Sequence, residues 1–108
     1  MARKIIRGDI WMYRFGRPDK RRPVLVLSRQ VALDHLHTAI VAPVTTAIRG
    51  LPSEVRVGEA DGLKKDSVVN LDHLITVEQR DLWRYLGHLD ENRMSEVCAA
   101  ADIALGCS

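Results

Sequence analysis

Arg22 is followed by Pro23 and by the apolar run Val24-Leu25-Val26-Leu27-Ser28, so its guanidinium leaves the chain where a basic loop meets a buried strand. A proline and a strand orient such a side chain better than a loop tip does, and its planar fork can hold a phosphate through two hydrogen bonds. Thr45 stands just after a second apolar run, Ala39-Ile40-Val41-Ala42-Pro43-Val44. There its hydroxyl could bond a phosphate oxygen or an attacking group. Each residue also has a plainer reading, Arg22 as a surface charge and Thr45 as the cap of a turn. Composition and spacing alone favour the plainer ones.

Other chemistry finds little support. The chain has no Gly-rich phosphate loop, no His-Glu-x-x-His and no Gly-x-Ser-x-Gly. His35-x-His37 would put two imidazoles on one strand face, but no thiolate or carboxylate spacing completes a zinc site, and ordinary surface histidines are expected. Asp61 and Asp66, flanking Lys64-Lys65, read as the solvated charges of a turn. No metal or other cofactor is expected.

The elements that must position Arg22 and Thr45 are mostly strands. In Asp9-Ile10-Trp11-Met12-Tyr13-Arg14-Phe15 the aromatic residues alternate, so Trp11, Tyr13 and Phe15 share one strand face and Ile10 and Met12 the other. Gly16-Arg17-Pro18-Asp19-Lys20-Arg21-Arg22 then reads as an exposed basic loop. Strands follow over the two apolar runs, with Pro43 marking an edge or bulge. Between them, 29–38 is polar with room for one helical turn. Shorter strands are expected at Glu54–Val57, Ser67–Leu71, Leu74–Val77 and Tyr85–Leu89, and a short helix over 78–84. The clearest helix is the last: Asp90 is its N-cap, Leu89 packs on Met94 as a hydrophobic staple, and Gly106 ends it. Met94, Val97, Cys98, Ala101, Ala104 and Leu105 form its apolar stripe, with Cys98 read as a small buried hydrophobe. Many short strands and one terminal helix predict a mainly β domain, a small curved antiparallel barrel or sandwich spanning 1–108.

Length and charge agree with that. A chain of 108 residues, 46% hydrophobic and 28% charged, suits one domain and excludes a disordered tail. No run reaches a membrane span, and the N-terminus has no apolar leader, so a cytoplasmic protein without a membrane partner is expected. Cys98 and Cys107 form no disulfide framework. The net charge of +2 hides an asymmetry: residues 1–36 carry nine basic and three acidic side chains, +6, and the remainder seven and eleven, −4. Basic charge gathered in one third of a small chain suggests an anionic partner, although a solvated face would look the same.

Arg7-Gly8-Asp9-Ile10-Trp11, Arg22-Pro23-Val24-Leu25-Val26-Leu27-Ser28 and Ala42-Pro43-Val44-Thr45-Thr46 together resemble the MazF/PemK/Kid toxins of type II toxin–antitoxin modules. Asp66-Ser67-Val68-Val69-Asn70-Leu71-Asp72-His73, Tyr85-Leu86-Gly87-His88-Leu89 and the C-terminal helix continue the likeness in order. The resemblance implies an SH3-like barrel of the PemK/CcdB type, paired as a homodimer. It also implies a sequence-specific, metal-independent endoribonuclease that cuts single-stranded RNA by attack of the ribose 2′-hydroxyl, leaving a 2′,3′-cyclic phosphate and a 5′-hydroxyl. A cognate antitoxin is implied, laying an acidic C-terminal segment over the RNA groove.

By the same resemblance, Arg22 and Thr45 are the catalytic pair. Asp72 and His73 match a polar pair in the family's groove, and are candidates for proton handling, with base reading the stronger role for His73. Arg17, Lys20, Arg21 and Thr46 would join His73 in binding RNA. A guanidinium keeps its charge at ordinary pH, so Arg22 suits charge stabilisation better than proton donation. The sequence departs from the family in three places. Gly16-Arg17-Pro18-Asp19 replaces a common Gly-Ser-Glu-Gln, Asn70 stands where some relatives have Arg, and Asp72-His73-Leu74-Ile75-Thr76 replaces Asp-Gln-x-Arg-Thr. The family's RNA sequence preference therefore does not carry over. Two other readings stand beside the ribonuclease: a CcdB-like toxin acting on DNA gyrase without nuclease chemistry, and an RNA-binding module without catalysis.

Overall fold

The structure, a computed structural model, describes residues 3–15 and 20–107. Seven strands form one largely antiparallel sheet: β1 (Asp9–Arg14), β2 (Arg21–Val26), β3 (Thr38–Thr45), β4 (Glu54–Val57), β5 (Ser67–Asn70), β6 (Ile75–Glu78) and β7 (Leu82–His88). Their order is β4-β5-β3-β2-β1-β7, with β6 also paired to β3. Two helices accompany them, α1 (Gln30–His35) and α2 (Glu91–Leu105). The mainly β architecture with a terminal helix is as expected, but the strands do not close into a barrel, because β4 and β7 lie at opposite ends of the order.

Strand β3 exchanges partners along its length. It pairs with β6 from Thr38↔Glu78 to Val41↔Ile75, and with β5 at Val44↔Val69 and Thr45↔Val68. Pro43 falls at the handover between them, where that side of the strand has no ladder pair, so an imino residue is accommodated inside a strand. It ends nothing: β3 continues to Thr45.

Pleating divides the buried side chains between two layers. Ile10, Leu25, Ala42, Val44, Val69 and Leu71 face α2, which contributes Met94, Val97 and Ala100. Trp11, Val24, Val26, Val41 and Val77 face the other way, with Leu33 of α1. Leu33 is the one buried residue of α1, worth roughly 1.5–3 kcal/mol, and polar tethers supplement it. The Gln79 amide lies 2.9–3.1 Å from the carbonyl oxygens of Leu33, Leu36 and Thr38, three acceptors for two hydrogens. On the same helix, the Gln30 amide, and after it Lys4, holds the Asp34 carboxyl below its ordinary range.

Helix α2 begins and ends as its sequence dictates. The Asp90 carboxylate accepts the Arg93 N–H at 2.9 Å, and Gly106 caps the other end in the left-handed region. Two stripe positions depart from expectation. Leu105 is 60% exposed. Cys98 is also exposed, because the contact line runs through Val97 and Ala100; the Arg7 guanidinium approaches it from solvent, Nη2 standing 3.3 Å from Sγ.

Asp61 is not a solvated turn charge. It is 8% exposed, accepts the Gly58 N–H at 2.9 Å and pairs with Arg93 at 3.2 Å. The helix expected over 78–84 reduces to a 3₁₀ turn, Gln79–Asp81, after which β7 begins at Leu82 against Tyr13. His35 closes α1, its Nδ1 2.8 Å from the Val31 carbonyl, so it shares no strand face with His37.

Another 3₁₀ turn, Glu59–Asp61, packs directly on β7. At Gly87 a Cβ would lie 1.9 Å from the Asp61 carbonyl oxygen, and at Gly62 (φ +93°) one would lie 2.1 Å from that of Leu86. Only two glycines permit this approach. Gly87→Ala should lower stability in urea titrations by about 2–3 kcal/mol through overpacking. Asp90→Ala, which removes only a cap, should cost about 1 kcal/mol. Equal losses in the two variants would show that the turn yields without strain.

Candidate functional site

The register between β2 and β3 brings the two singled-out residues together. Pairs run Val26↔Val41, Leu25↔Ala42 and Val24↔Pro43. Arg22 lies two residues before Val24 and Thr45 two after Pro43, both just past the end of that ladder. Both line one groove of about 570 Å³, together with Phe15, Lys20, Arg49, Asn70 and His73.

Each lining residue is held by its own element. Arg22 sits opposite Tyr13 in the β1–β2 pairing, is exposed, and makes no ion pair among the described residues. Thr45 Oγ1 accepts the Ala47 N–H at 3.1 Å. It does cap a turn, then, and since that bond uses a lone pair the hydroxyl proton stays available to donate. Phe15 is braced edge-on by Tyr13, ring centroids 4.7 Å apart. Asn70, 8% exposed at the end of β5, accepts the Asp72 N–H at 3.0 Å and starts the 3₁₀ turn Leu71–His73, which delivers His73. Arg49 rides on a loop gathered by one carboxylate, Glu54 Oε1, which takes the N–H groups of Arg49, Gly50 and Leu51 at 2.9–3.3 Å.

Lys20, Arg22 and Arg49 are cationic, and no carboxylate lines the groove among the described residues. Such a surface favours an anion, and the Arg22 fork beside a hydroxyl and an imidazole suits a phosphodiester.

Not every expected residue is in the groove. Asp72 does not line it, and its carboxylate accepts the buried Ser53 hydroxyl at 2.5 Å. Arg21 and Thr46 lie one residue from Arg22 and Thr45, and a period of two turns them to the opposite face, where both line a separate cavity. Arg17 lies outside the described residues. Sequence reasoning overlooked Phe15 and Arg49 as groove residues. The available signal for Arg49 is a cation in the loop that follows Thr45.

Comparison with known proteins identifies a family. Residues 6–105 match the family described as PemK-like, MazF-like toxin of type II toxin–antitoxin system. "Probable endoribonuclease MazF5" of Mycobacterium tuberculosis is 43% identical over 103 residues, covering 94% of each chain. The structure of Mycobacterium tuberculosis toxin MazF-mt6 superposes with a TM-score of 0.83 at 38% identity, over 91% of this chain and 96% of that one. A mycobacterial endoribonuclease in complex with its cognate antitoxin gives a TM-score of 0.86 at 27% identity, over 96% and 97%.

Titration with a short single-stranded oligodeoxynucleotide, followed by NMR, should shift the resonances of Arg22, Thr45 and His73 well beyond those of Asp72. Shifts centred on Asp72 and Ser53 would place the anion site elsewhere.

Proposed function

The chain belongs to the PemK-like, MazF-like toxins of type II toxin–antitoxin systems, and on that premise we propose that it is an endoribonuclease whose reaction is centred on Arg22 and Thr45. The observation that carries the site is the meeting of a guanidinium and a hydroxyl, 23 positions apart in the chain, in one groove that no carboxylate lines among the described residues.

In the proposed reaction the 2′-oxygen of a ribose attacks the adjacent phosphorus as its proton departs. The bond from phosphorus to the 5′-oxygen breaks, and that oxygen gains a proton. The products are a 2′,3′-cyclic phosphate and a 5′-hydroxyl. Negative charge grows on the non-bridging oxygens in the transition state, where Arg22 donates two N–H groups and Thr45 its hydroxyl proton. Positioned donors of this kind are typically worth about 10²–10³ each in rate. Their chemistry requires no metal ion. Phe15 supplies a stacking surface, Lys20 and Arg49 hold neighbouring phosphates, and His73 reads a base edge.

Several wider features belong to the same reading. The chain acts as one toxin domain in the cytoplasm, and as a homodimer. No helix among the described residues is long and apolar enough to cross a membrane. The neighbour in complex with its cognate antitoxin supports a protein inhibitor here too, one whose acidic C-terminal segment covers the cationic groove and neutralises the toxin by excluding RNA.

Purified protein should cut single-stranded RNA in excess EDTA, leaving cyclic phosphate and 5′-hydroxyl ends. Arg22→Ala and Thr45→Ala should each slow cleavage by about 10²–10³ with unchanged thermal midpoints. Intact RNA with the wild-type protein would reject the activity, and undiminished cutting by both variants would reject the site.

A further inference from the structure

Residues 46–52, which link β3 to β4, are all exposed, so no buried side chain of their own holds them in place. Yet this loop has to place Arg49, which lines the groove with Thr45. Hydrogen bonds supply the restraint. Glu54, the first residue of β4, accepts the N–H groups of Arg49, Gly50 and Leu51 on Oε1 at 3.1, 2.9 and 3.3 Å. Three successive N–H groups converge on one atom with Gly50 in the left-handed region, φ +72°, a backbone concavity of the kind that binds anions. The Glu54 N–H returns to the Leu51 carbonyl at 3.0 Å and closes the turn.

Glu54 stands across from Asn70 in the β4–β5 ladder, so the tether is rooted beside a residue that lines the groove. Glu54 itself does not line it. Its other oxygen, Oε2, is buried and has no hydrogen-bond partner among the described residues, so the carboxylate commits its side-chain bonding to the loop through one atom. A negative charge close to a site for an anion weakens the field there. By charge alone, removing Glu54 would tighten RNA binding; by geometry, removing it would release Arg49. The two roles carry opposite signs.

We propose that Glu54 is a positioning residue of the ribonuclease site, holding Arg49 where it grips the phosphate next to the one being cut. This rests on the ribonuclease reading above and on the role given there to Arg49. Ordering a long side chain and its loop at the moment of binding takes affinity away, and the three bonds to Glu54 settle the loop beforehand. The neighbouring phosphate does not change as the cut proceeds, so Arg49 holds it equally well before and during the reaction. Glu54 therefore acts on KM and leaves kcat alone.

The test reads affinity for a short single-stranded oligodeoxynucleotide, which lacks the attacking 2′-hydroxyl and stays intact. Arg49→Ala should weaken binding about tenfold, the loss of one charged phosphate contact. Glu54→Ala should weaken it by about 2- to 10-fold although it removes a negative charge, and Glu54→Gln, which keeps an acceptor oxygen, should weaken it less. Gly50→Ala disturbs the same concavity without touching Glu54: its Cβ would meet nothing within 4 Å, but alanine disfavours that φ. It should act in the same direction, and it decides the matter if Glu54→Ala does not fold. Added to Arg49→Ala, Glu54→Ala should cost nothing further, because it acts through the side chain already removed. On RNA, Glu54→Ala should raise KM with kcat unchanged. Binding by Glu54→Ala or Gly50→Ala as tight as wild type, or tighter, would overturn the proposal, as would losses that simply add in the double variant. Wild-type protein that binds the oligodeoxynucleotide but leaves RNA intact would reject the ribonuclease reading instead, so the two failures are told apart.

Discussion

Strand β3 is hydrogen-bonded to three different strands within eight residues. Its first four residues pair with β6, Val41 to Pro43 pair with β2, and its last two residues pair with β5. That exchange brings the ends of β2, β3 and β5 to one place, and those ends carry Arg22, Thr45 and Asn70. The turn after β5 then brings in His73. An eight-residue strand with a single partner on that side would keep β5 and β6 apart and leave the groove without one wall. Pro43 sits where the exchange occurs, so the residue least suited to a ladder occupies the position that needs it least.

Alternation sorts the charges. Two adjacent arginines and two adjacent threonines each split between the faces, so a basic run that reads as one patch in sequence becomes two separate surfaces. On the groove side the cations meet a hydroxyl and an imidazole, the requirements of phosphodiester chemistry. On the other side Arg21 and Thr46 border a cavity shared with Lys64, Lys65 and Arg84.

Much of this was legible from local pattern. Alternating aromatics gave β1, Asp90 and Gly106 bounded α2, and Pro23 and Pro43 framed the residues that converge. The resemblance to a toxin family supplied the pairing of Arg22 with Thr45, which composition alone did not favour. What stayed hidden depends on distant partners. Asp61 is buried because Arg93, 32 residues later, reaches its carboxylate, and nothing near Asp61 announces that. Cys98 fits an apolar stripe by spacing, but α2 packs along a narrower line, and Arg7 from the other end of the chain approaches the sulfur from solvent. Arg21 and Thr46 were grouped with their neighbours because a sequence run shows charge without showing direction.

The contact of Gly62 with Gly87 bears on how the molecule meets other chains. An open sheet normally offers its outermost strands as templates for added strands. Here the turn that ends at Gly62 lies against the side-chain face of β7 at Gly87, and at the opposite end of the strand order the Arg56 carbonyl of β4 is bonded to Arg93. The β4 strand therefore offers one backbone acceptor fewer to another chain, and on β7 the turn shields part of the sheet face from anything that docks there.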